Sequence, residues 1–380
     1  MSTHLFQFGL TVLMVWPVGT EGQLASDLNR DGCVDLRDFA DVQNTFTGPD
    51  CNAPAVNMEV VLVPGGGSGP YYDFLIGKYE VTNEQYVAFL NEMELAYQLN
   101  PDEALFYVQS GGDLTLVDQT YVFKTSAEGS FFRPIIHAYM APAGTRFRIV
   151  PGFERHPVRG VSWIGALAFC NWLTKHEGLD EGDKCYTESV LSTLWRPSTI
   201  SQSNWLARDL NTMERELLVK NYRGFRLPMQ ETEPLPCPAV PAEYSEWLKA
   251  ASYDPEAPSV TRNSLGCDAL PYYWGTGRPT DVLDRGFNFG GWYVFGTTPT
   301  GYYNGKTPDE IGENGTTVDG RNYFGMYDVS GNVAEWGQDR RLIWGGGWAG
   351  TGGAQSTRAV AVRSPAIIAA DIGFRVVRVP

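Results

Sequence analysis

Residues 27–38 read DLNRDGCVDLRD and set oxygen-bearing side chains at loop positions 1, 3, 5, 9 and 12, namely Asp27, Asn29, Asp31, Asp35 and Asp38. A hard cation such as calcium takes roughly six to eight oxygens, and this alternation suits it. Gly32 at the sixth position permits the sharp turn, and Cys33 at the seventh offers its backbone carbonyl rather than its sulfur. Val34 then points inward, and Phe39, Val42 and Phe46 recur at helical spacing until Gly48 and Pro49 stop the helix. The pattern predicts a calcium site; the alternative is an acidic turn in front of a helix.

A second carboxylate pair, Asp328 and Glu335, flanks the turn Ser330, Gly331, Asn332. The two carboxylates can converge with the carbonyls of Gly331 and Val333 on one calcium ion, or the turn can stand without metal, anchored by Trp336 in the core. Trp344, Trp348, Arg358, Arg363 and Arg375 form a third group. Exposed, aromatics beside guanidinium groups suit a peptide or glycan; buried, they are core packing and structural ion pairs. His137, His156 and His176 lack the i, i+4 spacing that puts two imidazoles on one helix face and read as structural. No nucleophile-elbow sequence supports a Ser-His-Asp triad. The glycine-rich run 65–69 does not continue into a Walker Lys-Ser/Thr, so it reads as a turn.

The 380 residues carry 29 basic and 44 acidic side chains, a net charge of −15 that repels phosphate backbones and anionic membranes and argues against a nucleic-acid partner. An uncharged run over residues 5–18, with Thr20 and Gly22 suiting cleavage before Gln23, predicts a signal peptide at 1–22 and a secreted, periplasmic or cell-surface location. That run is too short to span a bilayer comfortably, and nothing later reaches transmembrane length. The six cysteines, Cys33, Cys51, Cys170, Cys185, Cys237 and Cys267, permit disulfides in an exported chain but show no CxxC or zinc spacing.

The elements that must position these groups follow from spacing. Residues 59–63 and 74–80 are β-rich. Thr82 with Gln85 makes a capping box, and Tyr86, Phe89, Leu90 and Met93 share a face, predicting a helix over 83–93. Ser162 caps a second helix through Trp163, Leu167, Cys170 and Leu173 that ends by Gly178. A third begins at Pro241, carries Tyr244, Trp247, Leu248 and Ala251, and stops before Pro255. Residues 94–155 read as an irregular insertion with a β-like run at 120–124, and the five prolines of 228–241 as an extended loop. A calcium-binding segment at 23–51 and a short linker at 52–57 precede a main domain from Met58.

Within that domain Val63-Pro64-Gly65-Gly66, Ile76-Gly77-Lys78-Tyr79-Glu80-Val81-Thr82-Asn83, His156-Pro157-Val158, Val161-Ser162-Trp163, Phe169-Cys170-Asn171-Trp172 and Phe225-Arg226-Leu227-Pro228 occur in order. Tyr323-Phe324-Gly325-Met326-Tyr327-Asp328, Gly331-Asn332-Val333-Ala334-Glu335-Trp336 and Gly373-Phe374-Arg375 complete the series. The series resembles the sulfatase-modifying factor family, whose founding activity is formylglycine generation. The resemblance covers 58–380, with insertions near 94–155, 188–222, 229–241 and 304–322. It implies an α+β, irregular, loop-rich, C-type-lectin-like fold, here behind an EF-hand-like calcium loop and helix. The front loop resembles a single dockerin repeat, which implies a cell-surface partner held through it; dockerins ordinarily pair two repeats.

In catalytic relatives two cysteines five residues apart bind copper. Matching residues 346–363 without gaps puts Gly350 and Gln355 at those positions and Gly347 where a serine is usual, and no cysteine follows Cys267. No catalytic residue is therefore assigned and copper is not expected, because only soft sulfur selects copper(I). The resemblance assigns calcium to Asp328, Gly331, Val333 and Glu335, a second calcium site to Asn288 with the carbonyl of Phe289, and a ligand groove to the Trp344 to Arg375 group. Cys170 matches a position disulfide-bonded in relatives, but Val376 stands at its partner's place, leaving Cys170 a packed thiol or paired with Cys185. The function expected is a non-catalytic binding or structural module for an unidentified peptide, protein or glycan. The alternative is a formylglycine-generating oxidase acting on a sulfatase cysteine, or another oxidoreductase of the same family.

Overall fold

The computed structural model describes residues 56–66, 70–125, 134–229, 245–252, 297–307, 319–338, 342–348, 360–362 and 364–380. The chain divides into two units, Met1–Ala55 and Val56–Pro380, and every described residue belongs to the second. The signal peptide, the loop at 27–38 and most of the linker lie outside the described residues.

Strands β1 (Val60–Val63) and β2 (Phe74–Gly77) pair antiparallel, Val60 opposite Gly77 and Val63 opposite Phe74. Helix α1 (Asn83–Leu99) starts at the expected capping box: the Gln85 amide N–H donates to the Thr82 hydroxyl and the Thr82 N–H to the Gln85 side chain. It runs six residues past the expected end at Met93 (99 − 93), because Glu94 extends its buried face before Asn100 and Pro101 end it. The stretch read as irregular is built of small pieces. Strands β3 (Tyr107–Val108), β4 (Leu114–Thr115) and β5 (Tyr121–Phe123) form a meander, and β6 (Ile135–His137) with β7 (Phe147–Ile149) a hairpin. The hairpin is fastened to α1 by Glu94, whose Oε1 lies 2.8 Å from His137 Nε2 and 3.2 Å from Arg146 Nη1.

Helix α2 (Trp163–His176) is capped by Ser162, whose hydroxyl accepts from the Gly165 N–H, and every residue from Trp163 to Thr174 is buried. A helix apolar on all sides lies inside the core rather than over it. Gly165 makes that possible on one side: a Cβ there would fall 2.2 Å from the carbonyl oxygen of Val122 in β5. Tyr86 of α1 stacks on Phe169 of α2 at 5.5 Å, and Phe169 meets Phe374 edge-on at 5.4 Å, so both helices and the C-terminal segment share one aromatic core.

Residues 188–222 contribute β9 (Arg196–Pro197), paired with β8 (Tyr186–Thr187), then α3 (Gln202–Ala207) and α4 (Thr212–Asn221). Helix α5 (Glu246–Ser252) is the described part of the third expected helix. A four-stranded sheet in the order β12 (Val360–Val362), β11 (Leu342–Trp344), β10 (Ala334–Trp336), β13 (Ile372–Gly373) carries the turn at 328–333 on its central strand, with β10 and β13 parallel. The last strand, β14 (Val377–Arg378), returns to pair with β2 and completes the first sheet. The domain is thus mixed α+β. Among the described residues no helix is long and apolar enough to cross a membrane.

Candidate functional site

The chemistry-bearing residues converge below the turn at 328–333. Asp328 and Asn332 both sit at φ 57 and Gly331 at φ 82, left-handed conformations that non-glycine residues adopt rarely and only when their surroundings hold them. Here the surroundings do. Asp328 Oδ2 accepts from the Gly301 N–H at 2.6 Å, and Asn332 donates to Glu80 Oε2 at 2.8 Å while accepting from the Thr298 N–H at 3.0 Å. The second Glu80 oxygen accepts from the Val333 N–H at 3.0 Å. Two tryptophans clamp the neighbouring strand end to the start of α2. Trp163 donates to the Gly337 carbonyl and Trp336 to the Val161 carbonyl, each at 3.0 Å.

Glu335 is the centre. Arg375 donates to both of its oxygens, Nε to Oε2 at 2.7 Å and Nη2 to Oε1 at 2.6 Å, and Trp247 Nε1 adds a third bond at 2.8 Å. Arg375 also reaches the carbonyls of Gly77 at 3.0 Å and Tyr327 at 3.2 Å. Both partners of the ion pair are shut away from water. Burial works against the guanidinium charge, but Glu335 holds the Arg375 pKa above its usual value. Burial, with Asp328 and Glu335 close by, drives the Glu80 carboxyl well above the ordinary carboxylate range. Burial likewise pushes Asp328 up to about 6. Three carboxylates thus face one guanidinium, and the excess negative charge is what a cation or a proton relieves.

Tested against calcium, the set from the sequence fits in part. Asp328 already accepts from the Gly301 N–H, and Glu335 is held by Arg375 and Trp247 and makes a poor ligand as placed. Among the described residues no group of three or more His, Cys, Asp or Glu side chains is arranged to hold a metal ion. Asn288 and the loop residues Asp27, Asn29, Asp31, Cys33, Asp35 and Asp38 lie outside the described residues.

Three of the five residues assigned to a ligand groove are buried. Trp344 is 6% exposed and stacks on Trp247 at 5.5 Å; Trp348 is 7% exposed and donates to the Ala370 carbonyl at 3.0 Å; Arg375 is wholly buried in its ion pair. As placed, these three side chains make core packing and ion-pair contacts. Arg358 and Arg363, like Gly350 and Gln355, are outside the described residues. Sequence reasoning missed Glu80, Trp247 and Asn332 as members of the site. Glu80 carried a signal, a carboxylate placed in the β-rich stretch 74–80 where burial demands a partner. Cys170 and Cys185 are both free, buried thiols rather than a disulfide. Burial raises Cys170 well above a normal thiol and Cys185 to about 12, so neither is a thiolate at neutral pH.

Residues 70–380 match the family described as the sulfatase-modifying factor enzyme 1-like domain. Solved structures similar to the chain include CarF, 20% identical at a TM-score of 0.46 over 86% of this chain and 99% of that one. Treponema denticola variable protein 1 is 18% identical at 0.42, over 84% and 95%, and PvdO from Pseudomonas aeruginosa 15% identical at 0.37, over 85% and 92%. No curated protein matches the sequence.

His156 packs beside this site, its Nδ1 3.0 Å from the Thr297 hydroxyl. Burial and then the Arg159 charge lower its pKa to about 4 from 6.5. The unfolded chain therefore takes up a proton near pH 6.5 that the folded state refuses until about pH 4. This stabilising contribution is complete above pH 6.5 and is lost as pH falls through that window. Its slope is about 1.4 kcal/mol per pH unit, or roughly 3 kcal/mol over the window. Urea unfolding at pH 7, 5.5 and 4 should show the wild type losing more stability than His156→Gln by about that amount; parallel pH profiles would contradict it.

Proposed function

The chain belongs to the sulfatase-modifying factor family, and we propose that its family domain is a non-catalytic binding or structural module of an exported, calcium-binding protein. The observation that carries this reading is the donor set. Copper(I) in this family's chemistry needs a pair of thiolates, and Gly350 and Gln355 offer no sulfur, nor does any residue after Cys267. The two cysteines among the described residues are buried and held protonated. The residues present do not fit copper, and no oxidative step is derived through it.

Gly347 supports the same reading. It stands where the resemblance places a serine, and a Cβ there would fall 2.5 Å from the Asp371 carbonyl oxygen and 2.8 Å from the Asp371 Cβ. Such distances leave no room for a side chain unless the backbone shifts. The local backbone is closed over the position.

The calcium part of the proposal rests on the oxygen spacing of residues 27–38, with Asp27, Asn29, Asp31, the Cys33 carbonyl, Asp35 and Asp38 as ligands. It rests secondly on Asp328 with the carbonyls of Gly331 and Val333, where the carboxylate excess favours a cation while Glu335 stays with Arg375. Bound there, calcium would neutralise buried charge and fix a turn. The dockerin-like loop is the natural attachment point for a cell-surface partner, and the uncharged run at 5–18 carries the export reading.

Two measurements test the proposal. Incubated with copper, oxygen and a cysteine-containing sulfatase peptide, the protein should leave the peptide thiol unchanged by mass; conversion to the aldehyde would establish the oxidase reading instead. Chelation should lower the melting temperature, with Asp31→Ala and Asp328→Ala each removing part of the shift. A melting curve indifferent to calcium would contradict both sites.

A further inference from the structure

The meander that follows α1 encloses an open cleft of about 530 Å³ lined by Tyr107, Gln109, Ser110, Thr115, Val117 and Gln119. Its size is that of a small-ligand site, in the range of about 300–1,000 Å³. None of these residues belongs to the buried site at Glu335, and none carries a charge in a chain whose net charge is −15.

The lining is built rather than incidental. Tyr107 lies directly opposite Thr115 in the β3–β4 ladder, and its ring is braced edge-on by Tyr97 of α1 at 5.5 Å. Gln109 Nε2 donates to Thr115 Oγ1 at 3.3 Å and to Gln119 Oε1 at 3.0 Å. Both amide hydrogens of Gln109 are thereby committed, while its Oε1 accepts no hydrogen bond among the described residues. Gln119 sits at φ 64 in a tight turn closed by its N–H to the Leu116 carbonyl. Glycine would occupy that backbone conformation without strain, so the glutamine holds an amide at the cleft rim against a local preference. The nearest acids are turned away to structural bonds. Asp118 Oδ2 accepts from the Ser192 N–H and hydroxyl, and Asp113 Oδ1 from the Thr125 N–H and hydroxyl.

An aromatic ring, two linked side-chain amides, the exposed Ser110 hydroxyl and no ion match a ligand that is neutral, rich in hydroxyl groups and apolar on one face. We propose that this cleft binds a neutral saccharide, with Tyr107 packing against the C–H face of a pyranose ring and Gln109 and Gln119 hydrogen-bonding its hydroxyls. The proposal is independent of whether the family domain is catalytic, since it concerns a different set of residues. An anionic glycan has no guanidinium or ammonium group in the cleft to pair with and meets the repulsion of the whole chain.

The full-length protein, titrated by calorimetry with cellohexaose, xylohexaose, mannohexaose and chitohexaose, should bind at least one of them. Tyr107→Ala and Gln109→Ala should weaken that binding by about tenfold, the equivalent of one lost stacking or hydrogen-bonding contact. Gln119→Gly is the sharper variant, because relief of the left-handed strain should keep or raise the melting temperature while affinity falls. Three results would each overturn the proposal. They are no binding of any of the four at about 10 mM, well above the weakest useful affinities; binding unaffected by Gln109→Ala and Gln119→Gly; or binding only of a heparin hexasaccharide or an uncharged peptide run as controls.

Discussion

Burying a guanidinium is costly unless all its donors are met, and Arg375 meets that condition in a way that organises the domain around it. Glu335 takes two of its N–H groups side by side, and the Gly77 and Tyr327 carbonyls take others. One side chain therefore joins the end of β2, the turn entering the site and the central strand β10. Where the described strands are only two to four residues long, backbone ladders are too short to fix these segments relative to one another. Charge-assisted bonds in a dry interior do so with defined geometry. The same device recurs at Arg226 and Glu246, where the carboxylate also accepts from the Met229 N–H and the Tyr72 hydroxyl and so fastens α5.

That constraint explains what spacing revealed and what it could not. Local signals were legible: the Thr82 and Gln85 box and the Ser162 cap lie where expected, because each is written within four residues. The end of α1 was not, since Glu94 joins the buried face only through His137 and Arg146, more than 40 residues on. Apart from the β-like run at 120–124, which contains β5, the meander and hairpin offered no alternation to detect, because strands of two or three residues are shorter than the four or more residues over which alternation identifies a strand. At the site, Asp328 and Glu335 do flank one turn as read. Their environment was hidden because the guanidinium answering Glu335 is 40 residues away and Glu80 more than 250. Trp344 and Trp348 illustrate the remaining ambiguity, as a tryptophan looks the same in sequence whether its indole faces a ligand or another indole.

No cysteine follows Cys267, and at Gly347 an added Cβ would fall 2.5 Å from the Asp371 carbonyl oxygen. At the buried centre Glu80, Asp328 and Glu335 lie around the single guanidinium of Arg375, and burial raises the pKa of both Glu80 and Asp328. A domain so arranged keeps the means to hold its shape, and with it the surfaces that shape presents.

Glu335 and Arg375, joined by two parallel bonds in a dry interior, act as one unit. A double-mutant cycle of Glu335→Gln, Arg375→Met and the combined variant, followed by urea unfolding, measures that directly. Coupling of about 1–3 kcal/mol, with the double variant far less destabilised than the sum of the singles, is the predicted result. Additivity to within about 0.5 kcal/mol would show that the pair is incidental and that the domain is organised by something else.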